Sequence, residues 1–300
     1  MAVVSERRHY PDMPTLTLHG VPVHVEDSGG AGEPVLFCHG LLMSSRMFEA
    51  QVAALSPRFR CVAYDLPGHG RSGDARGRSY SIEQAYDDSV ALIERMGLAP
   101  CHFVGLSMGG FVGLRLAARR PALLRSLTVL DSSADAEPAA NVPQYRRLAL
   151  VARLFGPGVV VKPVMPILFS RTFLNDPAKA GVRDRWRREL QANRRGVVRS
   201  VRGVIERAGV ADALPGITVR TLVIVGAEDV ATPARHSEKI RDLVPGARML
   251  TVPGAGHSST IEQPDLVSRA ILEFLTGGSQ APLTLPHAGA ARAARPQAGA

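Results

Sequence analysis

The stretch of this chain best suited to carry chemistry is Gly105-Leu106-Ser107-Met108-Gly109. It reads G-x-S-x-G, a pattern that chance supplies at roughly 0.2 copies in a chain with 29 Gly and 20 Ser, so its surroundings must decide. An apolar run over residues 101–104 enters it, and a helical pattern over residues 108–119 leaves it. A strand that turns sharply into a helix displays one serine at the turn. Side chains at positions 105 or 109 would collide with strand and helix, which explains the flanking glycines. The helix start then aims free N–H groups at the place where negative charge would build on a substrate carbonyl.

A serine hydroxyl is a weak nucleophile at neutral pH and needs a base. Of nine histidines, His257 is placed to be one. It lies in Pro253-Gly254-Ala255-Gly256-His257-Ser258-Ser259, directly after the last apolar run. In a parallel sheet that position is the carboxyl edge, where Ser107 also emerges. His9 and His287 fall in the termini, His19 and His24 in a first hairpin, His236 on an exposed helix, and His102 inside a strand. An acid that orients His257 should also follow a strand. Glu228 and Asp229 do so after the run at residues 220–225, and Asp131 does so after residues 126–130. Asp229 is preferred, because the loop after the penultimate strand adjoins the loop carrying His257.

The elements that must position these residues are legible. Short apolar runs at 34–38, 60–64, 101–104, 126–130, 220–225 and 247–252 alternate with helical patterns at 47–55, 81–96, 108–119, 233–243 and 264–275. That alternation predicts a parallel sheet covered on both faces. Residues 15–18 and 21–26, meeting at Gly20, read as a hairpin. Residues 132–218 are far too many for one crossover and read as a mostly helical insertion. Residues 276–300, rich in Ala, Gly and Pro, read as a disordered tail.

Composition narrows the function. The chain has 300 residues and no run of 18 apolar residues, so no membrane-spanning helix is expected. No signal peptide is expected either. Three cysteines, Cys38, Cys61 and Cys101, sit in or beside apolar runs and point to a cytoplasmic protein without disulfides. Neither Cys nor His shows metal-ligand spacing, so no metal is expected. The net charge is +9, and residues 134–216 alone hold 15 basic and 7 acidic residues. Trp186 is the only aromatic between Arg183 and Arg207, which argues against a nucleic-acid partner.

Five landmarks together resemble one family: Phe37-Cys38-His39-Gly40, Asp65-Leu66-Pro67-Gly68-His69-Gly70-Arg71-Ser72, Gly105 to Gly110, Gly226-Ala227-Glu228-Asp229, and Gly256-His257 with Glu262-Gln263-Pro264. The chain resembles the α/β-hydrolase fold superfamily from just before Thr15 to about Thr276. Within it, the chain is similar to the serine-hydrolase branch of 3-oxoadipate enol-lactonases, haloperoxidase-like esterases and C–C hydrolases. The resemblance implies a mostly parallel eight-stranded sheet with helices on both faces. Its core would comprise residues 1–131 and 219–275, with a helical cap, residues 132–218, inserted after strand 6. It implies Ser107 as nucleophile, His257 as base and acid, and Asp229 as the residue holding His257, in the family's chain order. It implies an oxyanion hole from the backbone N–H groups of Leu41 and Met108, with Leu42 a substitute for Leu41, and a structural turn around His69. The reaction implied is cleavage of a small-molecule ester or lactone through an acyl-enzyme, with no cofactor. C–C hydrolysis and perhydrolysis use the same triad, and a ligand receptor on the fold is the non-catalytic alternative. Dehalogenases and epoxide hydrolases of the family place Asp at the elbow, which Ser107 argues against.

The basic insertion leaves two expectations open. Arg183, Arg185, Arg187, Arg188, Arg194, Arg195, Arg199, Arg202 and Arg207 could coat the outside of the cap. Alternatively, one or two could turn inward and hold a substrate carboxylate through the guanidinium fork.

Overall fold

Mostly apolar segments can be buried on both faces of a sheet, and such segments form its parallel centre. A computed structural model describes residues 15–277. The strands are β1 (Leu16–Leu18), β2 (Val21–Val23), β3 (Val25–Asp27), β4 (Pro34–Cys38), β5 (Arg60–Tyr64), β6 (Cys101–Leu106), β7 (Leu124–Leu130), β8 (Arg220–Gly226) and β9 (Arg248–Val252). Seven of them form one sheet in the order β3-β5-β4-β6-β7-β8-β9, parallel except for β3. β1 and β2 form a separate antiparallel pair.

The eight strands expected are therefore divided between two sheets. The predicted strand over residues 21–26 breaks at His24, where pairing passes from β1 to β5. Counting that broken strand once makes β7 the sixth, and residues 132–218 come directly after it as expected.

The helices are α1 (Glu49–Leu55), α2 (Ile82–Arg95), α3 (Met108–Arg119), α4 (Val142–Phe155), α5 (Val161–Leu168), α6 (Arg171–Asn175), α7 (Ala180–Gln191), α8 (Val198–Ile205), α9 (Ala234–Leu243), α10 (Ser259–Glu262) and α11 (Pro264–Leu275). Residues 132–218 hold α4 to α8 and, among the described residues, no strand. Alternating strand residues feed two cores. Leu36, Cys38 and Phe103 pack with Leu92 of α2 and Leu116 of α3 on one face. Val35, Phe37 and Val104 pack with Leu55 of α1, Ile271 of α11 and Leu190 of α7 on the other. The insertion is thus packed into the main core through α7. The tail expected at 276–300 lies outside the described residues beyond Gly277.

The chain reverses its direction of travel across the sheet between β4 and β6. β5 lies to one side of β4, and β6, β7, β8 and β9 lie to the other. A crevice opens at the carboxyl ends of two strands at such a switch point. The loop after β4 carries Leu41 and the turn after β6 carries Ser107.

Arg115 ties this frame to the insertion. Its side chain is 2% exposed, and it donates to Glu83 Oε1 of α2 at 2.7 Å, to the Phe111 carbonyl at 3.0 Å and to the Ala208 carbonyl at 2.8 Å. Replacing it leaves two carbonyls without that partner and opens a void, at a cost of about 2–4 kcal/mol. Arg115→Ala should therefore lower the melting temperature by on the order of 5–15 °C in a thermal melt.

Candidate active site

Ser107 sits at φ 52°, ψ −109°, a conformation that a non-glycine residue holds only when its surroundings force it. Its backbone is fixed from three sides. The Ser107 N–H donates to the Leu130 carbonyl at 2.8 Å. The Ser107 carbonyl accepts from Ser132 Oγ at 2.9 Å and from the Phe111 N–H at 3.0 Å. The predicted need for glycine has a definite origin. A Cβ on Gly105 would stand 2.3 Å from the Gly109 carbonyl oxygen, and one on Gly109 would stand 2.0 Å from the Cys38 carbonyl oxygen. Neither is a possible contact, so α3 can start this close to β4 only with glycine at both positions.

The structure brings Ser107, His257 and Asp229 together from the ends of β6, β9 and β8. Ser107 Oγ lies 2.9 Å from His257 Nε2, and His257 Nδ1 lies 2.9 Å from Asp229 Oδ2. With the Nδ1 proton given to Asp229, Nε2 is left to accept from the Ser107 hydroxyl. All three side chains are nearly buried.

Asp229 is held by donors that sequence reasoning does not single out. The N–H groups of Ala231 and Thr232 donate to Oδ1 at 2.8 and 3.0 Å, and Thr232 Oγ1 donates to Oδ2 at 2.8 Å. A local signal exists: an aspartate followed two and three residues later by free amides is the Asx-turn pattern.

The rival acids are engaged elsewhere. Glu228 accepts from Thr172 Oγ1 at 2.5 Å and from the Thr172 N–H at 3.1 Å, tying its loop to α6. Asp131 is fully buried, and it accepts from the Gly226 N–H at 2.8 Å and from Ser259 Oγ at 2.5 Å. Burial, with the Asp229 carboxylate nearby, pushes the Asp131 carboxyl well above the usual range. Asp131 therefore acts as a clamp joining β8 to the start of α10.

A third buried acid, Glu262, braces the histidine loop. Its Oε1 accepts from the N–H groups on either side of His257, Gly256 at 3.0 Å and Ser258 at 3.2 Å. Its Oε2 accepts from the Ser170 N–H at 2.9 Å, at the start of α6. In the sequence Glu262 stands out only as part of a landmark, with no task attached to it.

Leu41 lies in a tight turn over residues 40–43, closed by the Met43 N–H donating to the Gly40 carbonyl at 3.2 Å. Leu42 has φ 66°, the positive value that a type II turn requires at its third residue. Met108 is the first residue of α3 and is fully buried. His39 steadies this loop: its Nε2 accepts from the Leu66 N–H at 2.9 Å and its Nδ1 donates to the Gly40 carbonyl at 2.8 Å. His69 is buried against His39, and burial pushes its imidazole down to about 3. It is a packed turn residue, as expected. Burial pushes all three cysteine thiols up to about 12, and none is bridged.

Ser107, His257 and Leu41 line a cavity of about 130 Å³ beneath the insertion. Its remaining wall is mostly aliphatic, including Leu148, Ala152, Val161 and Val201.

Comparisons with known proteins give the family of this fold. A family model described as alpha/beta hydrolase fold matches residues 33–264. A protein assigned as the non-heme bromoperoxidase BpoC of Mycobacterium tuberculosis is 30% identical over 262 residues, covering 83% of this chain and 95% of that relative. The structure of a thermophilic esterase from Thermogutta terrifontis superposes with TM-score 0.80 at 31% identity, over 88% of this chain and 97% of that one. The enol-lactonase from Burkholderia xenovorans LB400 superposes with TM-score 0.82 at 28% identity, over 88% of this chain and all of the other.

The electrostatics of His257 can be measured directly. Burial pulls its pKa down, but the charge and hydrogen bond of Asp229, with smaller contributions from Asp131 and Glu262, outweigh this and hold it above the usual histidine value. An NMR titration should therefore find the His257 imidazole titrating above about 6.5. Asp229→Asn removes the main charge that stabilises the imidazolium and should bring that pKa down. Glu228→Gln should leave it in place.

Proposed function

The chain belongs to the α/β-hydrolase fold family and is an enzyme of it, and from that premise we propose a serine hydrolase that cleaves a carboxylic ester or lactone. The observation that carries this reading is the unbroken hydrogen-bond relay from Ser107 Oγ through His257 to Asp229, opening into an apolar cavity. In this mechanism His257 Nε2 takes the Ser107 proton as Oγ attacks the ester carbonyl carbon. The carbonyl electron pair moves to oxygen, and the N–H groups of Leu41 and Met108 hold that oxyanion. Among the described residues neither amide donates to a protein acceptor, so both are free for it. Collapse passes the proton from His257 to the departing alkoxide and leaves an acyl group on Ser107. Water then attacks this acyl-enzyme by the same proton path and releases the acid.

Asp229 keeps the Nδ1 proton in place and offsets the positive charge that His257 gains. In the same reading residues 132–218 act as a cap over the cavity, and the setting is cytoplasmic, which three buried unpaired thiols support. The similarity to a relative assigned as a bromoperoxidase favours one second reading. There hydrogen peroxide replaces water at the acyl-enzyme and releases a peracid.

Ser107→Ala should lower kcat on p-nitrophenyl esters by about 10⁴-fold or more with an unchanged circular dichroism spectrum. A fluorophosphonate should label the parent protein at Ser107 and not the variant. Retained turnover or labelling in Ser107→Ala would rule out the acyl-enzyme assignment. Since only neutral imidazole accepts the proton, kcat/KM should rise with pH through an apparent pKa above about 6.5, following the raised value of His257.

A further inference from the structure

Of the nine arginines clustered in the insertion, Arg207 alone is buried, at 7% exposure. Among the described residues it is also, apart from the catalytic-site imidazole of His257, the only cationic side chain in the wall of the cavity that holds Ser107. Five of the other arginines meet carboxylates on the outside: Arg185 pairs with Glu49, Arg187 with Asp184, Arg202 with Glu206, and Arg194 and Arg199 with Asp74. The charge on the cap thus stays outside, and the single charge that turns inward is already taken. Arg207 Nη1 donates to Glu137 Oε2 at 2.5 Å and to the Val204 carbonyl at 2.9 Å, and Nε donates to the Asp135 carbonyl at 3.1 Å. Its guanidinium lies 4.2 Å from the ring centroid of Phe111, one helical turn beyond Ser107. Glu137 is equally enclosed; both side chains are under a tenth exposed, and Asn141 Nδ2 holds the second Glu137 oxygen at 2.9 Å.

We infer that this cavity accepts the uncharged, apolar part of a substrate and excludes carboxylates, because Glu137 cancels the one cation in its wall. The inference rests on the esterase reading and names its substrate class. The walls supplied by Leu148, Ala152, Val160, Val164, Val201 and Ile205 offer an incoming carboxylate nothing to replace its hydration. At Arg207 such a carboxylate would meet a second one, and two like charges at one buried guanidinium repel. An alkyl group meets the opposite situation, gaining about fourfold in kcat/KM for each methylene that leaves water until the cavity is full. The inward-facing arginine expected for an anionic lactone is therefore present, but it faces its own carboxylate.

The test compares p-nitrophenyl hexanoate with the mono-p-nitrophenyl ester of adipic acid, equal in acyl length but for a terminal carboxylate. The parent enzyme should favour the neutral ester by about 100-fold or more in kcat/KM, at 1 M salt as well as 0.1 M, where surface steering differs most. Glu137→Gln leaves Arg207 uncompensated and should shrink that preference at least tenfold. Glu137→Gln combined with Arg207→Gln removes both charges and should restore it; if the single variant fails to fold, the parent comparison and the displacement measurement below decide. Nearly equal rates on both esters in the parent, or an unchanged ratio in a folded Glu137→Gln protein, would overturn the inference. Displacement of Nile red from the Ser107→Ala protein judges the cavity without turnover. Displacement by methyl hexanoate and not by monomethyl adipate supports the inference even if no ester is hydrolysed, a result that would instead defeat the esterase reading. Equal displacement by both overturns it.

Discussion

Everything at this site depends on how closely α3 starts behind β4. The helix begins where a single methyl group on Gly109 would overlap the Cys38 carbonyl oxygen. That contact forces the chain to leave β6 and enter α3 in one residue, and the cost falls on Ser107, held at positive φ. The strain is supported by the bond from the Ser107 N–H to Leu130 and by Ser132 on its carbonyl. Backbone at positive φ recurs beside it, at Leu42 and Asp131. Strained backbone of this kind persists where the surrounding structure over-determines it, and here the surroundings are the sheet itself.

Three buried acids then share one small region without competing for one role. Each is distinguished by its donors. Asp229 receives two amides and a hydroxyl and still faces His257. Asp131 is spent on joining β8 to α10, and its carboxyl is pushed up by burial. Glu262 is pushed up by burial too, although the amides of Ser170, Gly256 and Ser258 oppose this. A buried carboxylate is costly unless bonded, so each arrangement must be nearly complete to exist. Glu262 has a further consequence. It links the amides around His257 to Ser170, the residue that caps α6, so the insertion and the histidine loop share one hydrogen-bonded brace.

Ser107, His257 and Asp229 were legible in the sequence for a physical reason: each comes just after an apolar strand, and a parallel sheet gathers the loops at the carboxyl ends of its strands along one edge. The glycines at 105 and 109 were legible because close backbone approach leaves no other residue type. The break at His24 was not legible, since an unbroken apolar alternation cannot reveal where a strand changes its pairing partner. Thr232 and Glu262 were hidden differently. Thr232 bonds Asp229 within its own loop, Glu262 also takes the Ser170 N–H from far along the chain, and a lone threonine or glutamate has no periodicity to betray it.

The arginines show the same limit most sharply. Summed over residues 134–216, charge points to a basic roof, and composition cannot separate Arg207 from Arg202. The difference lies in which face of α8 and its exit each occupies. Arg202 projects outward to Glu206, its partner one helical turn on, while Arg207 lies past the end of the helix and folds back over Phe111. Glu137, seventy residues earlier, is brought to it only because the insertion begins and ends at neighbouring strands, β7 and β8. Net charge is therefore a property of the surface that residues 132–218 show to water, and the charge in the cavity wall beneath is balanced within one pair that the sum cannot see.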